Sequence, residues 1–117
     1  MALSLTQDVT AEFNANNGFV ADASNWDYLI WQFVSPTGTV NITASNDAGS
    51  VTGSFDGNSL TATNFIAVSA TVVNGGTFAT SVGASGIFRT SYVGQFVKFG
   101  GASAAATKVF IQYHKIS

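Results

Sequence analysis

Hydrophobic and polar residues alternate with a period of two over much of the chain. Leu3, Leu5, Val9, Ala11 and Phe13 are separated by Ser4, Thr6, Asp8, Thr10 and Glu12, with Gln7 breaking the series. Successive strand residues point to opposite faces, so residues 3–13 read as one half-buried strand or two short ones. Asn14-Ala15-Asn16-Asn17-Gly18 is a turn cluster, and residues 19–21 follow it as a short strand. Residues 26–34 form the most apolar run. Trp26, Tyr28, Ile30 and Val34 share one parity, and Leu29, Trp31 and Phe33 the other. Both faces are therefore apolar, which predicts a central sandwich strand with something packed outside it. A buried helix is the alternative, although the run is short and β-rich.

Ser35-Pro36-Thr37-Gly38 predicts a turn. Residues 39–45 then alternate, with Val40, Ile42 and Ala44 inward, and read as the hairpin partner of the 26–34 strand. Weaker strands are expected over 51–55, 64–70 and 77–82, and clearer ones over 87–93, 95–99 and 107–116. Residues 100–106 form a small-residue loop. Helix caps and 3.6-residue stripes are absent. Turn signals at about ten-residue spacing predict an all-β fold: a single antiparallel β-sandwich, jelly-roll-like, over residues 1–117.

Composition adds a constraint on the surface. Charged residues are 9% of the 117, and hydrophobic residues 46%, with ten Phe. A typical soluble domain carries roughly 25% charged residues. Ser, Thr, Asn and Gly must therefore cover the surface, or much of it is buried against partners. With no cysteine, a disulfide framework, a thiol nucleophile and a zinc ribbon are excluded. No stretch approaches the roughly 20 apolar residues that span a bilayer, and no leader peptide is expected at the N-terminus. The basic residues are scattered, so no nucleic-acid footprint is expected. The charges are segregated nonetheless. Asp8, Glu12, Asp22, Asp27, Asp47 and Asp56 lie in the first half, and Arg89, Lys98, Lys108 and Lys115 in the last third. Acidic strands of one copy facing basic strands of another would set the register of an assembly.

Candidate chemistry is sparse. His114 is the one histidine; a general base needs an orienting partner and a nucleophile within reach, and no Gly-x-Ser-x-Gly elbow occurs. Asp47 and Asp56, with Asn46 and Asn58 beside them, offer oxygen ligands for calcium. Their spacing is not that of an EF-hand loop, and Asx turns are the default reading. Gly75-Gly76 and Gly100-Gly101 lack the Lys-Ser/Thr of a phosphate loop. Trp26, Tyr28 and Trp31 could form a sugar-stacking platform, but their place in the most apolar segment favours the core. No catalytic residue, cofactor or metal site is expected.

Trp26-x-x-Leu29-Ile30, Gly38 with Thr39-Val40-Asn41-Ile42, Ser45-Asn46-Asp47, Gly86-Ile87-Phe88-Arg89 and Val93-Gly94-Gln95-Phe96-Val97-Lys98-Phe99 make up one pattern. It resembles the small β-sandwich virion proteins of tailed bacteriophages, both capsid decoration (cement) proteins and tail or fibre modules. The resemblance implies a non-enzymatic structural protein on the capsid surface. Its partners would be the major capsid protein and its own copies, with a trimer favoured. Residues 1–20 would be either an arm onto the shell or the first strand. The expected interface residues are Leu3, Leu5, Phe13 and Phe19 for an arm, and Phe96, Lys98 and Phe99 for a sheet edge. The alternative is a tail or fibre host-recognition or carbohydrate-binding module, which requires an exposed Trp26 or Trp31.

Overall fold

The computed structural model describes residues 3–46, 64–91 and 95–116. Among these residues the period-two alternation becomes ten strands, all antiparallel, in two facing sheets with one short helix. The six-stranded sheet contains β1 (Leu3–Asp8), β3 (Tyr28–Val34), β6 (Ala70–Val72), β7 (Thr77–Ala79), β8 (Gly86–Ser91) and β10 (Lys108–Lys115), in the order β1-β10-β3-β8-β6-β7. The four-stranded sheet contains β2 (Gly18–Asp22), β4 (Asn41–Ser45), β5 (Ile66–Ala67) and β9 (Phe96–Gly100), in the order β2-β9-β4-β5.

The order has a simple logic. β1 pairs with β10, β2 with β9, β3 with β8 and β4 with β5. Successive pairs alternate between the two sheets. The chain is thus one long antiparallel hairpin rolled onto itself, with β6 and β7 added beside β8. This wrapping corrects one local expectation. Residues 39–45 are not the hairpin partner of β3, because the turn after Val34 carries the chain into the other sheet, where β4 pairs with β9 and β5. The expected strand over 64–70 is divided between β5 and β6, which lie in different sheets. The expected strand over 51–55 lies outside the described residues.

The second half of the first predicted strand is a helix, α1 (Thr10–Asn16). Val9 and Phe13 share a face in either conformation, and both are fully buried. Ala11 decides between them: a strand would bury it, and it is exposed. The change of direction is made by Asp8, whose Oδ1 accepts from the Thr10 hydroxyl at 2.7 Å and the Thr10 N–H at 3.0 Å. These two bonds, the hydroxyl first, hold the Asp8 carboxyl below its ordinary pKa. Asn17 closes the helix in the left-handed conformation (φ 55) that Asn tolerates better than most residues.

The core is aromatic and draws on both sheets and the helix. The Trp31 ring stacks on Phe99 at 4.1 Å between centroids, and Phe33 stacks on Phe99 at 5.4 Å. Phe13 from α1 meets Phe33 edge-on at 5.4 Å. Offset and edge-to-face geometries of this kind add to area burial. In β3 the inward residues are Leu29, Trp31 and Phe33, while Tyr28, Ile30 and Val34 face outward and are half-buried.

Candidate functional site

The rolled topology relocates most of the expected interface residues. Phe13, Phe19, Phe96 and Phe99 are each 1% exposed or less, so they present no surface to a partner; Phe13, Phe19 and Phe99 belong to the core between the sheets. Phe96 and Phe99 are also not at a sheet edge: β9 lies between β2 and β4. Lys98 points outward from β9, half-buried, with its Nζ 5.7 Å from the Phe65 ring centroid. Leu5 shares the inward parity of Tyr113 and Leu29 yet is 45% exposed. It sits on edge strand β1 of the wider sheet. Leu3 lies on the same edge, in register with Lys115.

The outer face of the six-stranded sheet carries an apolar hollow among polar side chains. Register places Thr6, Gln112, Ile30, Arg89, Thr71 and Phe78 in one cross-strand row. The adjacent row holds Asp8, Phe110, Gln32 and Ile87. Val73 continues it, since its N–H donates to the Ile87 carbonyl. Ile30, Val73, Ile87 and Phe110 line a shallow hollow of about 550 Å³ between Gln32 and Gln112. Phe78 is 77% exposed at the β7 end of this face. No pattern in the sequence singled out Val73 or Phe78, because the 70–79 segment carries few strand signals.

His114 lies on this face too. Its ring stacks on Tyr28 with centroids 4.6 Å apart, and the Arg89 guanidinium covers Tyr28 at 4.2 Å. The His114 Nε2 is 2.6 Å from the Gln112 Oε1. Among the described residues no three carboxylate, histidine or cysteine groups converge as metal ligands. Asp47 and Asp56 lie outside the described residues.

A second feature opens at one end of the sandwich, between the sheets. It is a cleft of about 470 Å³. The β2–β3 connection gives it Ser24, Trp26 and Asp27, the end of β4 gives Asn46, β8 gives Thr90, and the approach to β9 gives Gln95. The rim is held by two hydrogen bonds: the Ala23 N–H donates to the Gln95 carbonyl at 2.7 Å, and the Gln95 N–H donates to the Asn46 side-chain Oδ1 at 2.8 Å. Trp26 is half-buried and packs against Tyr113, ring centroids 5.5 Å apart. Trp31 is fully buried and lies outside the cleft. Of the two tryptophans, Trp26 alone is thus placed where a ligand could meet it. Asn46, Thr90 and Gln95 were not legible as neighbours, since no spacing in the sequence brings them together.

Comparison with solved structures finds a fold likeness over the whole chain. The SPBc2 prophage-derived protein YomS superposes with a TM-score of 0.59, covering 100% of this chain and 94% of that one at 14% identity. At this identity the likeness is one of fold. A structure described as Bacillus endospore appendages that form disulfide-linked pili aligns at 20% identity with a TM-score of 0.35, covering 100% of this chain and 87% of that one. A score that low supports no argument. No protein-family model and no curated protein matches the sequence.

Proposed function

We propose that this chain is a non-enzymatic structural protein of a phage particle. It acts as a capsid decoration protein, assembled as a homo-oligomer, with a trimer favoured, and seated on the major capsid protein at the capsid surface. The observation that carries this reading is the whole-chain fold likeness to a prophage-derived protein. Taking the rolled hairpin as a jelly roll supports it, because that architecture recurs in viral capsid proteins. The surface supports it as well. Low charge combined with an apolar hollow and an exposed Phe78 on the outer sheet face suits a protein that spends its working life against other subunits. The mechanism is mechanical: Phe78, Val73 and their neighbours are buried between subunits, and each added contact resists separation of the shell. Leu5 and the exposed backbone of edge strand β1 offer a second contact, since that edge carries no proline or lysine to block pairing.

Sedimentation with expanded, undecorated capsids tests the capsid assignment. The protein pellets with capsids and saturates at a fixed ratio per shell; protein that stays in the supernatant contradicts decoration. Gold-labelled antibody against the chain then marks virion heads. Label on tails would replace this reading with a tail or fibre module.

A further inference from the structure

We infer that the end cleft is a binding site for a neutral pyranose sugar. The inference is independent of the assembly reading, which uses the outer sheet face. The floor of the cleft holds an unusual group. Thr90 is 2% exposed, and its Oγ1 has no hydrogen-bond partner among the described residues. A buried hydroxyl left unpaired costs about 1–3 kcal/mol, whereas valine would fill the same space without that loss. Trp31 Nε1 and Glu12 Oε2 are also unpartnered, but neither lines the cleft. Thr90 lines the cleft with this hydroxyl enclosed in the wall, and a polar ligand that displaces the wall there would give it the partner it lacks.

The walls narrow the class of that ligand. Binding sites for small molecules combine an apolar wall with a few convergent polar groups. Here Trp26 supplies an indole wall, and a pyranose ring presents a matching face of C–H groups. Asn46 and Gln95 are amides that both donate and accept, as sugar hydroxyls require. Asp27 adds an acceptor; its Oδ2 also takes the Ile116 N–H. Asp27 is the one charged side chain among the described lining residues. With the Asp27 carboxylate as the charged group of its lining, the cleft favours neutral ligands over phosphates, uronates and other anions. The volume of about 470 Å³ lies within the usual range for small-ligand sites.

Tryptophan fluorescence of the full chain tests this, because Trp31 is sealed in the core and Trp26 reports on the cleft. The probes are the methyl pyranosides of glucose, galactose, mannose and N-acetylglucosamine, with methyl glucuronide as the anionic comparison. At least one neutral probe should give a saturable change and protect Trp26 from acrylamide. Thr90→Val should weaken that binding about tenfold while leaving the thermal midpoint unchanged or higher. Three results would each overturn the inference: no saturable change with any neutral probe, equal affinity in Thr90→Val, or tighter binding of the glucuronide.

Discussion

The side-chain amide of Asn14 pairs with the backbone of Ala106 in both directions. Its Nδ2 donates to the Ala106 carbonyl at 2.9 Å, and the Ala106 N–H donates to its Oδ1 at 2.8 Å. A helical side chain thus does for residues 100–106 what a neighbouring strand would otherwise do. Asn17 adds a bond from its Nδ2 to the Ala104 carbonyl at 3.0 Å. Ala104 and Ala106 are buried beneath this clamp. Asn14→Ala removes both bonds and leaves backbone groups partly covered and unpaired, so it should destabilise the fold by about 1–3 kcal/mol. Chemical denaturation measures this as a lower midpoint at unchanged slope.

Two glycines next to the same loop are fixed by close backbone approach. A Cβ on Gly100 would lie 2.6 Å from the Gly18 Cα, and one on Gly38 would lie 2.1 Å from the Ser103 carbonyl oxygen, at a φ of +72. Neither neighbour is a side chain that could swing away. Gly100→Ala and Gly38→Ala should each cost at least about 1–3 kcal/mol. Gly83→Ala, where a Cβ meets nothing within 4 Å, should stay within about 0.5 kcal/mol of wild type. Thermal melts of the three variants give the comparison.

Tyr113 predicts an alkaline limit to stability. It is fully buried, and its hydroxyl donates to the Gln7 Oε1 at 3.1 Å. Burial first, and the nearby Asp22 carboxylate second, push its pKa far above the ordinary value of 10.0. The folded state therefore favours the protonated phenol more than the unfolded state does. That contribution is complete below the unfolded pKa of about 10 and is lost as pH rises from there towards the folded value. Stability followed against pH should fall above pH of about 10, and Tyr113→Phe should remove that part of the fall.

Much of the sandwich was legible from alternation. Val40, Ile42 and Ala44 were read inward and are buried, because period two leaves one choice of face once a strand is assumed. What alternation cannot display is the partner of each strand. The pairing of β2 with β9 joins residues about 80 apart in sequence, well beyond the reach of turn signals. That is why Phe96 and Phe99 read as an edge and stand in a centre. The segregated charges have an explanation within one chain for the same reason. The rolled hairpin sets acidic β1 and β2 beside basic β10 and β9, and Lys108 lies close enough to help lower the Asp8 pKa. The cleft was not legible, since its residues come from four separate segments; Trp26 was the part that could be noticed in advance.

The outer sheet face gives a surface test that leaves the core alone. Phe78→Ser and Val73→Ser remove exposed apolar groups, so the folded subunit should keep its stability within about 0.5 kcal/mol. Subunit association should weaken in both variants, seen as dissociation at higher protein concentration than wild type. An unchanged association curve would move the contact elsewhere, with the β1 edge next in line.

Assembly is what the proposed role requires of this chain, and light scattering of the purified protein, which gives its mass in solution, is the first measurement to make. A decoration subunit should be a stable homo-oligomer, a trimer, that persists on dilution. A monomer at every concentration would contradict that role.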